Sequence, residues 1–102
     1  MATKLENELK NNTYEELKEP SKYVVILLND DFTSMDFVIG ILMKIFHKSY
    51  ESAIDIMIKV HKEGRGVCGV YTKEIAETKI TQVKKEARAH GFPLRAVMEE
   101  LS

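Results

Sequence analysis

A single cysteine, Cys68, in a chain of 102 residues excludes an internal disulfide framework and fits a reducing compartment. An excess of one charge is also missing. Fifteen basic and 16 acidic residues give a net −1, so no whole-chain field attracts nucleic acid or an anionic membrane. No apolar run approaches the roughly 20 residues of a membrane-spanning helix. The opening Met-Ala-Thr-Lys-Leu-Glu-Asn-Glu lacks the apolar centre of a secretion signal, and a cytoplasmic location is expected. The short Gly64-Arg65-Gly66 turn has neither the lysine nor the hydroxyl of a phosphate-binding loop. His47, His61, His90 and Cys68 fall at no zinc-ligand spacing, and Asp30-Asp31 lacks the EF-hand pattern, so neither metal nor cofactor is expected. Cys68 lies inside a short apolar stretch, where a buried, inert thiol is a better reading than a nucleophile.

What is present is the composition of one small domain: 44% hydrophobic residues at this length hold one core. Residues 1–21 are mostly Glu, Lys, Asn and Thr with scattered Leu, closed by Pro20-Ser21. They read as a mobile N-terminal extension, with residues 22–102 as the folded domain. The weak Leu5, Leu9, Leu17 spacing leaves a surface-packed helix as the alternative.

Tyr23 to Leu28 is an uninterrupted β-rich run. Met35, Val38, Ile39, Leu42, Ile45 and Phe46 then recur at spacings of three and four, which predicts a helix with one apolar face. Ser49 is a plausible N-cap for a second helix, whose inner face holds Ala53, Met57, Val60 and His61 and which stops at Gly64. Gly66 to Tyr71 reads as a strand. A third helix carries Ala76, Ile80, Val83 and Ala87 on one face after a cap at Thr72, and Gly91 and Pro93 end it. Leu94 to Ser102 fits helix and strand equally. The order strand, helix, helix, strand, helix, with an undecided end, describes an α+β domain.

Asn29-Asp30-Asp31-Phe32-Thr33, at the exit of the first strand, carries most of the chemistry. Thr33-Ser34-Met35-Asp36 fits a capping box, with Thr33 as the cap. That leaves Asn29, Asp30 and Asp31 as a group of acceptors without a lysine or arginine nearby in sequence, which suits a cationic ligand on a loop held by a scaffold. His61 stands one turn from Met57, and as a lone helix histidine it reads first as a partly buried structural residue. Met35, Met57 and Met98 are core filler by default, although the same adaptability suits a pocket that takes several apolar shapes. A paired-acid turn after a first strand also occurs in phosphoacceptor receiver domains. Their phosphoacceptor ends a later strand, whereas the candidate here, Asp55, falls within the second helix.

Taken together, these residues closely resemble the ClpS adaptor family, which supplies substrates to an ATP-dependent Clp protease. The resemblance runs from about Tyr23 to the C-terminus. It rests on Asn29-Asp30-Asp31-Phe32-Thr33 with Met35 and Phe37-Val38, then Met57 with Val60-His61, Gly69-Val70-Tyr71-Thr72, Ala76-Glu77-Thr78-Lys79, and Pro93-Leu94. Ser34, where proline is frequent, and Phe92 are mild departures.

The resemblance implies a β-α-α-β-α-β fold like the C-terminal domain of the ribosomal stalk protein, its last segment completing a three-stranded antiparallel sheet packed against helices. It implies an adaptor rather than an enzyme, one that binds proteins beginning with Leu, Phe, Trp or Tyr. By that resemblance Asn29, Asp30 and His61 bind the free α-amino group. Asp31, Thr33, Met35, Val38, Met57, Val60 and Leu94 form the pocket, with Met35 as a gatekeeper against β-branched residues. Glu74 and Lys79 match positions that contact the N-domain of a ClpA-type or ClpC-type AAA+ unfoldase, and a monomer is expected. Two other classes compete: a small phosphoacceptor enzyme and a structural domain of the ribosomal-stalk type. Only the adaptor accounts for the acceptor turn, Met35 and His61 at once.

Overall fold

The structure, a computed structural model, describes residues 20–101, so residues 1–19 of the expected extension lie outside the described residues. Three strands, β1 (Lys22–Leu28), β2 (Arg65–Thr72) and β3 (Arg95–Leu101), form an antiparallel sheet in the order β2-β1-β3. Helices α1 (Met35–Lys44), α2 (Tyr50–Glu63) and α3 (Lys73–Ala89) complete a β-α-α-β-α-β chain. The ambiguous last segment is a strand because β1 offers it a free edge. Val25, Ile26 and Leu27 pair with Met98, Val97 and Ala96, so its register is set from outside the segment.

Alternation along β1 decides where the core sits. Val25 and Leu27 join the cluster made by Val38, Ile41, Leu42, Ala53, Val60, Ala76, Val83 and Leu94, which places the helices on one face of the sheet. Ile26 lies outside that cluster, flanked in register by Val67 and Val97 on the opposite face. A bulge interrupts the β1–β2 ladder between Val25 and Ile26, whose partners are Gly69 and Val67. Cys68 is the extra residue; it is fully buried, and burial pushes its thiol up to about 12. A Cβ at Gly69 would collide with the outer end of the Tyr71 ring, which would have to move to make room.

Local chemistry holds each helix in place. The cap of α1 is Ser34, one residue later than the capping pattern suggests: its Oγ accepts from the Phe37 N–H at 3.1 Å. Thr33 is drawn away because its amide and hydroxyl both donate to Asp30. On α1 the inner face is Val38, Ile41 and Leu42, continued by Ile45 and Phe46, while Met35 is left half-exposed. Burying each such side chain stabilises the domain by roughly 1.5–3 kcal/mol. Ser49 caps α2 by accepting from the Ser52 N–H at 3.1 Å, and Gly64 ends it in the left-handed region at φ 90. Thr72 occupies the cap position of α3 but makes no side-chain cap bond.

Two long side chains connect the layers. The Lys79 ammonium donates to the Ile45 carbonyl at 2.8 Å, satisfying the C-terminal end of α1, and lies 5.9 and 5.4 Å from the Phe46 and Tyr71 ring centroids. The Arg88 guanidinium donates to the Phe92 and Leu94 carbonyls at 2.9 and 3.0 Å, which anchors the turn into β3. Among the described residues, no helix is long and apolar enough to cross a membrane.

Candidate functional site

One hydrogen bond joins the two halves of the site. The Asn29 N–H, just past β1, donates to the Gly64 carbonyl at the end of α2, at 2.9 Å. The strand exit is thereby held beside the last turn of α2, which carries Val60 and His61. Immediately beyond, the Asp30 carboxylate organises the loop. Its Oδ1 accepts from the Phe32 and Thr33 amides at 2.8 and 2.7 Å, and its Oδ2 accepts from the Thr33 hydroxyl at 2.8 Å. This is an Asx-type turn, and it fixes the backbone through Thr33.

Asp30 is therefore both a turn residue and a charge. Partial burial opposes ionisation, but the Thr33 and Phe32 amides, the Thr33 hydroxyl and the charge of Arg88 together outweigh it and hold the carboxyl below its ordinary 3.8. Of about four acceptor positions on a carboxylate, three are engaged within the loop, which leaves one, on Oδ2. Arg88 has no counterpart in the local sequence pattern. Its effect on Asp30 is one of charge through the fold, and its guanidinium is already engaged by two backbone carbonyls.

Asn29, Asp30, Thr33, Met35, Val38, Met57, Val60 and His61 surround one cavity of about 40 Å³. Val38 and Val60 are buried, Met57 is half-buried and Met35 is 49% exposed. The apolar wall thus comes from α1 and α2 and the polar rim from the β1 exit and His61. His61 is exposed rather than on the inner face, because the core-facing stripe of α2 runs through Ala53 and Val60. At about 40 Å³ the cavity is far smaller than the roughly 300–1,000 Å³ of an ordinary ligand pocket. A bulky side chain enters only if the wall yields, and Met35 and Met57 are the unbranched, polarizable residues that yield readily.

Two residues expected in the pocket stand elsewhere. Asp31 is exposed and does not line the cavity. Leu94 is 1% exposed within the core and borders a separate cavity of about 220 Å³ with Ile80, Arg88 and Ala96. Glu74 is exposed in the first turn of α3, and Lys79 is half-buried on the same helix. A larger groove of about 410 Å³ runs between α2 and β2, lined by Ser52, Asp55, Ile56, Lys59, Glu63 and Arg65 among others. Its charges are of both signs, whereas the smaller cavity has acceptors on one rim and an apolar wall on the other. Chemistry rather than volume makes the smaller one the candidate site.

A three-stranded antiparallel sheet with helices on one face and a cavity with one polar rim and one apolar wall are features of a small binding domain. Comparison with known proteins makes this specific. The family model for the ATP-dependent Clp protease adaptor protein ClpS matches residues 18–97. The ClpS adapter protein of Wolinella succinogenes is 58% identical over 82 residues, 80% of each chain. That of Oleidesulfovibrio alaskensis is 61% identical over 87 residues, 85% of this chain and 84% of its own. Among solved structures, Agrobacterium tumefaciens ClpS2 bound to L-phenylalaninamide superposes with a TM-score of 0.79 at 35% identity, covering 81% of this chain and all of that one. The chain belongs to the ClpS family of Clp protease adaptors, and it is an adaptor, not an enzyme.

Proposed function

We propose that the chain is an N-degron receptor: the cavity takes the first side chain of proteins beginning with Leu, Phe, Trp or Tyr, while Asn29, Asp30 and His61 take the free α-ammonium. The observation that carries this reading is the convergence of those three acceptors with Thr33, Met35, Val38, Met57 and Val60 on one cavity. An ammonium brings three donors and a positive charge. The Asn29 side-chain oxygen, the free position on Asp30 and an unprotonated His61 nitrogen are three acceptors of suitable chemistry. Each charge-assisted bond contributes about 1.5–3 kcal/mol net, and burying a Leu or Phe side chain contributes a similar 1.5–3 kcal/mol or so. Neither half suffices alone. The ligand named for the Agrobacterium relative, L-phenylalaninamide, combines a free amine with an apolar side chain and supports the same division of labour.

In this reading the bound substrate is handed to the AAA+ unfoldase of the Clp protease, whose N-domain docks on Glu74 and Lys79. Glu74 is exposed, whereas Lys79 is half-buried and spends one of its three donors on the Ile45 carbonyl. Asp31 and Leu94 act indirectly, through loop charge and core support. The test is fluorescence anisotropy of a labelled peptide beginning with Leu against its N-acetylated twin. Binding by the free-amine peptide alone is expected. Equal binding of both would overturn the receptor reading, because acetylation removes the charge and leaves the leucine intact.

A further inference from the structure

We propose that Phe32 is a specificity-determining residue that reads the second residue of the bound N-terminus, an inference that rests on the amine-binding reading above. Phe32 is 76% exposed, the most exposed large hydrophobic side chain among the described residues, so the core gains little from it. Its backbone is nevertheless held in place. The Phe32 N–H donates to Asp30 Oδ1, and the amide and hydroxyl of Thr33 donate to the same carboxylate. Asp30 and Thr33 both line the cavity, so the backbone of Phe32, between them in sequence, is held at its rim while its side chain stays exposed.

A cavity of about 40 Å³ has no space for a second side chain. The second residue of a ligand whose first residue is held there lies about 3.8 Å further along its chain, Cα to Cα. It therefore crosses the rim, where Phe32 stands one residue from Thr33 and the half-exposed Met35 follows on α1. The chemistry offered is an aromatic face without a core role. It suits an aromatic or long aliphatic second side chain, which removes apolar surface from water on both partners. Glycine at the second position has nothing to place there.

The test compares three ligands on the full chain: leucinamide, a peptide beginning Leu-Gly and one beginning Leu-Phe, by isothermal titration. The unaltered protein is expected to bind Leu-Phe roughly threefold to tenfold more tightly than Leu-Gly, the range of one aromatic contact. Phe32→Ala is expected to abolish that preference and leave leucinamide affinity unchanged, and Phe32→Tyr to restore the preference. Leucinamide bound normally with a second-residue preference that is absent, or unchanged in Phe32→Ala, would overturn this inference and leave the receptor reading standing. A uniform loss for all three ligands in Phe32→Ala would overturn it too, by placing Phe32 within the amine site. Failure of leucinamide to bind the unaltered protein would overturn both.

Discussion

Replacing Asp30 with Asn removes a charge while keeping most of the geometry that the charge supports. In the native loop Oδ1 accepts from the Phe32 and Thr33 amides, and an asparagine carbonyl can accept both bonds. The amide nitrogen that replaces Oδ2 then faces the Thr33 hydroxyl, which turns from donor to acceptor. The turn survives, so the expected loss of stability is under about 1 kcal/mol, within the span of one ordinary hydrogen bond. Binding changes far more. In the proposed amine site the free acceptor on Oδ2 becomes a donor facing the ammonium, which would remove a charge-assisted bond of about 1.5–3 kcal/mol. At about 1.4 kcal/mol per decade, affinity for a Leu-initiated peptide falls roughly tenfold to a hundredfold. Asp30→Ala should show the same binding loss together with a further destabilisation of about 1–2 kcal/mol, because two amides and a hydroxyl lose their partner. Urea denaturation and peptide anisotropy on both variants separate the two roles. If Asp30→Asn binds within twofold of the unaltered protein, the carboxylate is only a turn residue and the proposed amine site is wrong.

Met35→Ala widens the cavity mouth and is expected to admit peptides beginning with Ile or Val; anisotropy with Ile-initiated peptides showing no gain would remove Met35 as a gate. Lys79→Ala is expected to destabilise the domain by about 1–2 kcal/mol, since the Ile45 carbonyl loses its partner and two rings lose a cation, with leucinamide affinity unchanged. Loss of unfoldase binding with no change in denaturation midpoint would instead make Lys79 purely a docking residue. Because the folded Asp30 carboxyl sits below its ordinary 3.8, its contribution to stability is complete above that value and is lost as the pH falls through the folded value. Acid titration of the denaturation midpoint should therefore fall less steeply below about pH 4 in Asp30→Asn, and parallel curves would contradict the assignment.

The acceptor turn, the three helices and the caps at Ser49 and Gly64 were legible in the chain because their causes are local: periodicity, short polar side chains and a left-handed glycine. The cap of α1 was misplaced by one residue for a reason that is nearly local, since Asp30 claims the Thr33 hydroxyl and Ser34 takes its place. What tertiary structure alone decided concerns residues distant along the chain. The segment after Leu94 is a strand because the edge of β1 accepts it, not because its own pattern favours one. The charge of Arg88, near the C-terminal end of α3 and far from the loop in sequence, acts on Asp30 through the fold, so the acceptors without basic neighbours in sequence do feel one in space. Helix periodicity assigned His61 to the inner face of α2, but the core stripe through Ala53 and Val60 leaves it exposed, beside the Asn29–Gly64 hydrogen bond that links the strand exit to that helix. Residue types and their spacing thus identified the family, because hydrogen-bonding capacity and apolar periodicity belong to the chain itself. Which groups meet, and which are already spent on holding the fold, depends on long-range packing.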